Sequence, residues 1–208
     1  MRLIAHGCSF TFGAGLETPA YAWPSLIGSK MGWNVLNLGR DGYANDGIVE
    51  DIININPSSE DDIVVIMWTW PHRLVLENEI ERFSCYPGQS SNVSKLLMAN
   101  INLDWMYRRW LTHVIALQDY LKTKNCKYLF VSAFPNNGDE GEKVTEEVSN
   151  LTNQIDSKYY LGWPDFSFNG LAEIYGRLPN EHPAARSHAE MATMIGQKLK
   201  ELYDINWI

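Results

Sequence analysis

The chain has 208 residues, which suits one globular domain. Hydrophobic residues make up 45% of it and aromatic residues 12%, so a disordered chain is excluded. The formal net charge is −8, and an acidic surface repels nucleic-acid phosphates and anionic lipids. We therefore expect neither nucleic acid nor a membrane as a partner.

The cysteines and the N-terminus indicate a reducing compartment. Cys8, Cys85 and Cys126 form no CxxC pair, and their odd number argues against a disulfide framework. Only a few apolar residues separate Arg2 from Gly7, which is too short a run for a signal peptide. No apolar stretch approaches the roughly 20 residues that a membrane span needs. We expect a soluble, cytoplasmic protein.

The hydrophobic pattern predicts strands that alternate with helices along the chain. The predicted strands are residues 2–6, residues 35–37, Asp62–Trp68 and residues 127–133. The predicted helices are Trp23–Met31, residues 47–55 with Asn45 or Asp46 as the cap, residues 103–122 and residues 188–203. Residues 70–100 are polar and predict a loop-rich insertion with a short helix, and residues 135–143 predict a polar loop.

This alternation predicts a parallel sheet with right-handed crossovers, and hence a single three-layer α/β/α domain over residues 1–208. The segment Asp62–Trp68 is continuously apolar, as in a parallel strand that is covered on both faces. Ligands of such sheets bind outside the carboxyl ends of the strands. The loops that follow His6, Asn37 and Trp68 are therefore the candidate site.

The first of these loops reads GCSFTFG and contains Ser9. Glycines on both sides allow a tight turn and a close approach of a substrate. A serine at the start of a helix also presents its own unpaired N–H group. Read alone, Ser9 is a helix N-cap.

The second loop and a further segment near the C-terminus each offer one polar group. Gly42 in NLGRDG is a candidate for an exposed backbone N–H, although Asp-Gly is also an ordinary turn. His182 precedes Pro183, which favours an extended conformation and places the imidazole at a loop edge before the last helix. His188, six residues further on, is interpreted as a buried or capping histidine.

Together, these three segments resemble the SGNH hydrolases, also called GDSL esterases and lipases. The matching blocks are GCSFTFG, NLGRDG and EHPAARSHAEMA, which extend from residue 7 to residue 192. The resemblance implies a flavodoxin-like fold, Ser9 as the nucleophile and His182 as its general base. It also implies that the N–H groups of Ser9 and Gly42 stabilise the oxyanion. Each such donor lowers the activation barrier by roughly 3 kcal/mol.

Two departures concern the first and third blocks of the family. Cys8 stands where aspartate or asparagine is usual, and we expect it to be buried against the sheet rather than to act as a nucleophile. The family's Gly-x-Asn-Asp block is absent after the central strand, where the sequence reads MWTWPHR. Thr69, Trp70 and the more distant Asn45 are the candidates for the missing oxyanion donor, with Thr69 preferred on position. Arg73 is a candidate for binding an anionic substrate group.

A third departure concerns the acid that orients the histidine. The family's aspartate lies three residues before the histidine, and Pro179 occupies that position. In an extended stretch Glu181 would point away from His182, which leaves Asn180, a backbone carbonyl or Asp165 as partners. The site is then a Ser–His dyad helped by Asn180 or by a backbone carbonyl, unless Asp165 supplies the acid.

The leading hypothesis is a serine ester hydrolase that removes acetyl or other short acyl groups from a small-molecule or carbohydrate ester. The aromatic residues Trp68, Trp70, Phe83, Tyr86 and Trp163 suit stacking on a sugar ring, and equally suit core packing. The alternative is a catalytically impaired binding or structural module with the same fold. The oligomeric state stays open.

No cofactor is expected. The first loop lacks both a Walker lysine and a GxGxxG pattern, and the spacing of His182 and His188 does not suit a helical zinc pair. Short chains of this kind without a signal peptide resemble some that bacteria and their phages encode, so a phage-associated setting is the second expected localisation.

Overall fold

The computed structural model describes residues 1–58, 61–77, 82–85, 92–100, 102–135, 145–205 and 207. The strands are β1 (Arg2–Gly7), β2 (Asn34–Asn37), β3 (Asp62–Trp68), β4 (Leu74–Glu77), β5 (Arg82–Cys85) and β6 (Lys127–Ser132). The helices are α1 (Ser9–Phe12), α2 (Trp23–Met31), α3 (Asn45–Ile55), α4 (Asn92–Asn100), α5 (Leu103–Thr123), α6 (Glu146–Thr152), α7 (Phe168–Tyr175) and α8 (Ala185–Tyr203). Two 3₁₀ turns cover Pro19–Tyr21 and Ser157–Tyr159.

Four strands form a parallel sheet in the order β2-β1-β3-β6. Gly7 at the end of β1 pairs with Met67 of β3, and Met67 pairs with Val131 of β6. The carboxyl ends of these three strands therefore lie side by side at one edge of the sheet. This arrangement confirms the predicted parallel α/β fold.

The sheet separates two apolar cores, because alternate residues of each strand face opposite sides. One core contains Leu3 and Ala5 and is covered by α2, α7 and α8; the other contains Ile4 and is covered by α3 and α5. All three of these side chains are fully buried. Full burial of a leucine or isoleucine side chain contributes roughly 1.5–3 kcal/mol to stability relative to its exposed state. The result is the predicted three-layer sandwich.

The insertion after β3 contains an antiparallel hairpin that sequence reasoning did not predict. Strands β4 and β5 pair with each other, and α4 follows after residues that lie outside the described part of the chain. Asp46 of α3 accepts a hydrogen bond from the N–H of Val75 and forms an ion pair with Arg109 of α5. Side chains of α3 and α5 thus fasten the hairpin to the sandwich. The predicted polar loop over residues 135–143 lies almost wholly outside the described residues.

Two helix starts differ from the prediction. Neither Asn45 nor Asp46 caps α3: the N-cap is Ala44, without a side-chain hydrogen bond, and Asn45 is the first helical residue. The Asn45 side chain bonds instead to the loop that follows β3. Helix α8 begins at Ala185, three residues before His188, with the extended residue Ala184 as its N-cap. Pro183 lies before the helix and therefore removes none of its hydrogen bonds. In the part of the chain that the structure describes, no helix is both long and apolar enough to cross a membrane.

Candidate active site

Ser9 lies at the carboxyl end of β1, where the strand turns into the short helix α1. Cys8 is the N-cap with extended backbone angles, φ −90° and ψ −157°, and Ser9 is the first residue of the helix rather than its cap. The N–H of a first helical residue has no partner within its own helix. Ser9 is only 4% exposed. The residue therefore combines a hydroxyl group and an N–H without a partner in its helix, at a position that is almost fully buried.

The second loop is locked directly against the helix that begins at Ser9. The Asn37 amide donates to the carbonyl oxygen of Thr11 at 3.0 Å and accepts from the N–H of Gly39 at 3.0 Å. A side chain at Gly39 would lie 2.4 Å from the backbone nitrogen of Phe12, so only glycine allows this approach. The asparagine and the first glycine of NLGRDG thus serve to dock one loop on the other.

Gly42 follows three residues later, in a turn that requires its left-handed backbone. Its φ is +67°, a region that favours glycine. The turn is closed by the N–H of Tyr43, which donates to the carbonyl of Arg40 at 3.3 Å. The N–H of Arg40 donates in turn to the carbonyl of Gly7 at 3.2 Å, two residues before Ser9. Gly42 and Ser9 are therefore linked through backbone hydrogen bonds.

His182 lies in a tight loop, and the extended stretch that the sequence predicted through Glu181 is wrong. The N–H of Glu181 donates to the carbonyl of Leu178 at 2.9 Å, and the N–H of Leu178 donates to the carbonyl of His182 at 2.7 Å. Glu181 takes a left-handed φ of +65°. The effect of Pro183 extends only to the residue directly before it, so it cannot prevent the turn at Glu181.

The partner of His182 Nδ1 is a backbone oxygen. Nδ1 lies 3.1 Å from the carbonyl oxygen of Asn180, whereas the Asn180 amide oxygen accepts from the backbone N–H of His182 at 3.3 Å. Asp165 is exposed, and among the described residues no carboxylate contacts His182. Of the orienting groups considered from sequence, the backbone carbonyl is the one in contact with Nδ1.

A row of aromatic rings connects three loops of the site. The ring of Phe10, next to Ser9, lies 5.8 Å from the ring of His182 and 4.9 Å from that of Phe134. Phe134, after β6, lies 4.8 Å from Trp70, after β3. Trp70 is 39% exposed, so the row ends at the surface. His182 thus lies beside the helix of Ser9, and an aromatic wall leads away from it.

Asn45 and Thr69 meet at the carboxyl end of β3. The Asn45 side chain accepts from the N–H of Thr69 at 2.9 Å and donates to the carbonyl oxygens of Thr69 and Trp70 at 3.0 and 3.2 Å. Its amide nitrogen is therefore committed to the backbone of this loop. The hydroxyl of Thr69 is buried and has no hydrogen-bond partner in the described structure.

Arg73 packs against Phe134, a member of the aromatic row described above. Its guanidinium lies 5.4 Å from the ring centre of Phe134 and donates to the carbonyl of Tyr43 at 3.4 Å. The side chain is only 8% exposed. Arg73 therefore braces the loop that contains Gly42 against the wall.

Cys8 and His188 are structural. Cys8 is fully buried in the core. The Nδ1 of His188 accepts from the N–H of Trp23 at 3.2 Å, and its ring lies edge-on to Phe168. Burial, with a smaller effect of the His182 charge, lowers the pKa of His188 to about 4. The imidazole is therefore neutral at physiological pH.

Of the aromatic residues considered for sugar stacking, only Trp70 lies at the described rim. Trp68 is 1% exposed and packs on Phe130, and Trp163 packs on Trp110 in the same core. The side chains of Phe83 and Tyr86 lie outside the described part of the structure.

Sequence reasoning missed a polar network beside the site. His6 is fully buried at the end of β1, and its Nε2 lies 3.0 Å from the carboxylate of Asp51 in α3. Tyr43 donates to the same carboxylate oxygen at 2.8 Å. The only sequence signal was a histidine directly before Gly7. The described residues contain no group of three or more His, Cys, Asp or Glu that would suit a metal ion.

No family model matches the chain, and no curated protein matches its sequence. Solved structures do. The esterase EstA from a Pseudoalteromonas species is 12% identical with a TM-score of 0.58, over 98% of each chain. A member of the lipolytic G-D-S-L family from Veillonella parvula is 16% identical with a TM-score of 0.52, also over 98% of each chain.

A third match is a carbohydrate esterase family 2 enzyme with a carbohydrate-binding domain, from Corynascus thermopiles. It is 14% identical with a TM-score of 0.56, over 96% of this chain and 65% of that one. The protein therefore has the fold of the GDSL, or SGNH, lipolytic proteins and esterases, as the resemblance of its sequence blocks implied.

Proposed function

We propose that the protein is a serine carboxylic ester hydrolase. The observation that carries this proposal is that the segment around Ser9 contacts both other loops: Gly7 and Thr11 bond to the Gly42 loop, and the Phe10 ring lies against His182. The fold shared with named esterases supports the same class of reaction.

In the proposed reaction, the Ser9 hydroxyl attacks the ester carbonyl and His182 takes its proton. The contact of Nδ1 with the Asn180 carbonyl favours the tautomer that carries its proton on Nδ1, which leaves Nε2 free to accept. His182 then protonates the departing alcohol, and water hydrolyses the acyl-serine ester by the same route. A neutral carbonyl stabilises the imidazolium less than a carboxylate would, so we expect a slow enzyme.

The oxyanion would be bound by the N–H groups of Ser9 and Gly42, with the Thr69 hydroxyl as the third donor. Thr69 is favoured over Asn45, because the Asn45 amide already binds two backbone carbonyls while the buried Thr69 hydroxyl has no partner in the described structure. A buried donor without a partner is costly in the resting protein and is satisfied by an oxyanion.

The proposed substrate is an ester of acetate or of another short acyl group with a carbohydrate or another small alcohol. The near-complete burial of Ser9 disfavours long acyl chains, and the exposed indole of Trp70 offers a flat face for a sugar ring. A carbohydrate esterase among the structural neighbours is consistent with this choice.

Hydrolysis of p-nitrophenyl acetate by the wild type and variants tests the reaction. We expect Ser9→Ala and His182→Ala to lose about 10³-fold or more in kcat/KM, because each removes a reacting group. Ser29→Ala, an exposed serine in α2, is the matched control. Activity that survives Ser9→Ala but is lost in Cys8→Ala would assign the nucleophile to the thiol instead.

The sugar preference is tested by Trp70→Ala on two substrates. If the indole stacks on a sugar, the variant loses roughly tenfold in kcat/KM on an acetylated sugar and little on p-nitrophenyl acetate. An equal loss on both substrates would contradict a role of Trp70 in sugar recognition.

A catalytically impaired binding module is the second candidate, favoured by the absence of a carboxylate at His182 among the described residues. A fluorophosphonate probe separates the two candidates. Labelling of Ser9 in the folded wild type supports the hydrolase, whereas a folded protein that does not label supports the binding module.

A further inference from the structure

We propose that Asp51 is a positioning residue, which acts through His6 and Tyr43 to hold the N–H of Gly42 in a fixed relation to that of Ser9. This inference rests on the proposed function, since it concerns how the oxyanion donors are held. Asp51 lies on the second turn of α3 and contributes no atom to the reacting groups.

One carboxylate oxygen of Asp51 gathers three donors. Tyr43 donates its hydroxyl at 2.8 Å, His6 Nε2 lies at 3.0 Å, and the guanidinium of Arg40 lies at 3.4 Å. Arg40 also donates to the Tyr43 hydroxyl at 3.1 Å and lies over the Tyr43 ring. Because Arg40 and Tyr43 flank the turn that contains Gly42, the carboxylate anchors this turn from both sides.

The same network reaches the strand that leads to Ser9. Nδ1 of His6 accepts from the N–H of Gly7 at 2.9 Å, and the carbonyl of Gly7 accepts from the N–H of Arg40 at 3.2 Å. Both peptide groups of Gly7 are therefore held, one by the imidazole and the other by the Gly42 loop. Ser9 follows two residues later.

The ionisation states of His6 and Asp51 favour a stable hydrogen-bond network. An imidazole whose Nδ1 accepts a hydrogen bond carries its proton on Nε2, and this proton faces Asp51. Burial lowers the pKa of His6, which keeps the ring neutral. Burial alone would raise the pKa of Asp51, but hydrogen bonds from His6 and Tyr43 outweigh it and hold this pKa below its usual value. The carboxylate therefore stays charged and accepts at neutral pH.

A network of this kind matters because oxyanion donors act through preorganised geometry. A misplacement of about 1 Å can cost about 100-fold in rate, even when it arises away from the chemistry. Loosening the turn should therefore lower kcat while leaving KM, which reflects ground-state binding, nearly unchanged.

The test compares Tyr43→Phe, Asp51→Asn and their double variant on p-nitrophenyl acetate. We expect each single variant to lower kcat by roughly 10-fold to 100-fold with KM within about twofold. The double variant should lose much less than the product of the single effects, because both changes break contacts at the same oxygen. Tyr120→Phe is the matched control, since its hydroxyl bonds to Asn56 away from the site, and its kcat should be unchanged.

A second measurement does not depend on turnover. The ¹⁵N order parameter of the Gly42 amide should fall from about 0.85 in the wild type to below about 0.6 in Tyr43→Phe. If the wild type hydrolyses no ester, the proposed function fails and this order parameter still decides the positioning role. A Gly42 amide as ordered in Tyr43→Phe as in Tyr120→Phe, or single variants with wild-type kcat in an active enzyme, would overturn the inference.

Discussion

His182 shows how a single residue is held in this site. Its Nδ1 contacts the backbone oxygen of Asn180, in a turn that is closed by the N–H of Glu181. A backbone oxygen supplies orientation and selects a tautomer, but it brings no full negative charge. The position of the histidine therefore depends on the shape of its loop more than on any one neighbouring side chain.

The Asn180→Ala variant follows from this contact. The substitution keeps the backbone oxygen and removes only the side-chain bond to the N–H of His182. We expect kcat/KM on p-nitrophenyl acetate to fall by less than about tenfold, the usual value of one exposed hydrogen bond. A loss as large as that of His182→Ala would mean that the Asn180 amide itself orients the imidazole.

At the scale of elements, the site depends on the docking of the loop after β2 on the helix after β1. Asn37 bonds across to Thr11, and Gly39 contacts the backbone of Phe12. The two elements are adjacent because β2 and β1 pair in parallel, so both loops leave the sheet at the same edge. The contact is between backbones and leaves no room for a side chain.

Gly39→Ala tests this docking. Its Cβ would lie 2.4 Å from the Phe12 nitrogen and 2.8 Å from the Thr11 carbonyl carbon, so one loop must shift. We expect a loss of about 1–3 kcal/mol in the free energy of unfolding. We also expect a loss of roughly 10-fold to 100-fold in kcat, because the Gly42 N–H moves with the loop.

Gly170→Ala in α7 is the matched control for this substitution. Its Cβ would meet only the Ser167 hydroxyl, at 3.5 Å, so its stability should change by less than about 1 kcal/mol. Equal stability and activity in the two variants, measured by urea unfolding and ester hydrolysis, would contradict the docking role of Gly39.

At the scale of the molecule, the two apolar cores hold all the loops of the site in one frame. The side of the sheet that is covered by α2, α7 and α8 contains His188, whose Nδ1 joins the start of α2 to the first turn of α8. The ring is 1% exposed, so a positive charge on it would be costly. We therefore expect this histidine to make the free energy of unfolding sensitive to acid.

The expected pH dependence follows from its pKa, which burial and the His182 charge lower from 6.5 to about 4. Between these values the unfolded chain binds a proton at His188 that the folded chain does not bind, so stability falls as the pH falls through this window. The shift in this pKa corresponds to a change of about 3 kcal/mol in the free energy of unfolding.

Urea unfolding at pH 7 and pH 4 measures this effect against His188→Asn, whose amide oxygen can still accept from Trp23. Between pH 7 and pH 4, the free energy of unfolding of the wild type should fall by about 3 kcal/mol more than that of the variant. The same loss in both proteins would show that His188 is not responsible.

Local patterns predicted much of this protein. The periods of apolar residues predicted the four strands of the parallel sheet, and α2, α3 and α5 nearly to their ends. This is because the buried face of a strand or helix is formed by residues that recur at a short, fixed spacing in the sequence. The hairpin of β4 and β5 was missed because its two strands lie within a segment, residues 70–100, that is polar over most of its length. The helix cap assigned to Asn45 was wrong because its amide binds a loop 24 residues away.

The sequence by itself determined the class of fold, the chain order of the four sheet strands and the edge at which the loops of Ser9 and Gly42 were expected, because each depends on local periodicity and on the parallel connection of the strands. The role of His182 was expected only from the resemblance of its sequence block. Only the tertiary structure decided which polar groups meet. The contact of His6 with Asp51 spans 45 residues, and that of His188 with Trp23 spans 165. Such contacts follow from packing in three dimensions, which no local pattern encodes.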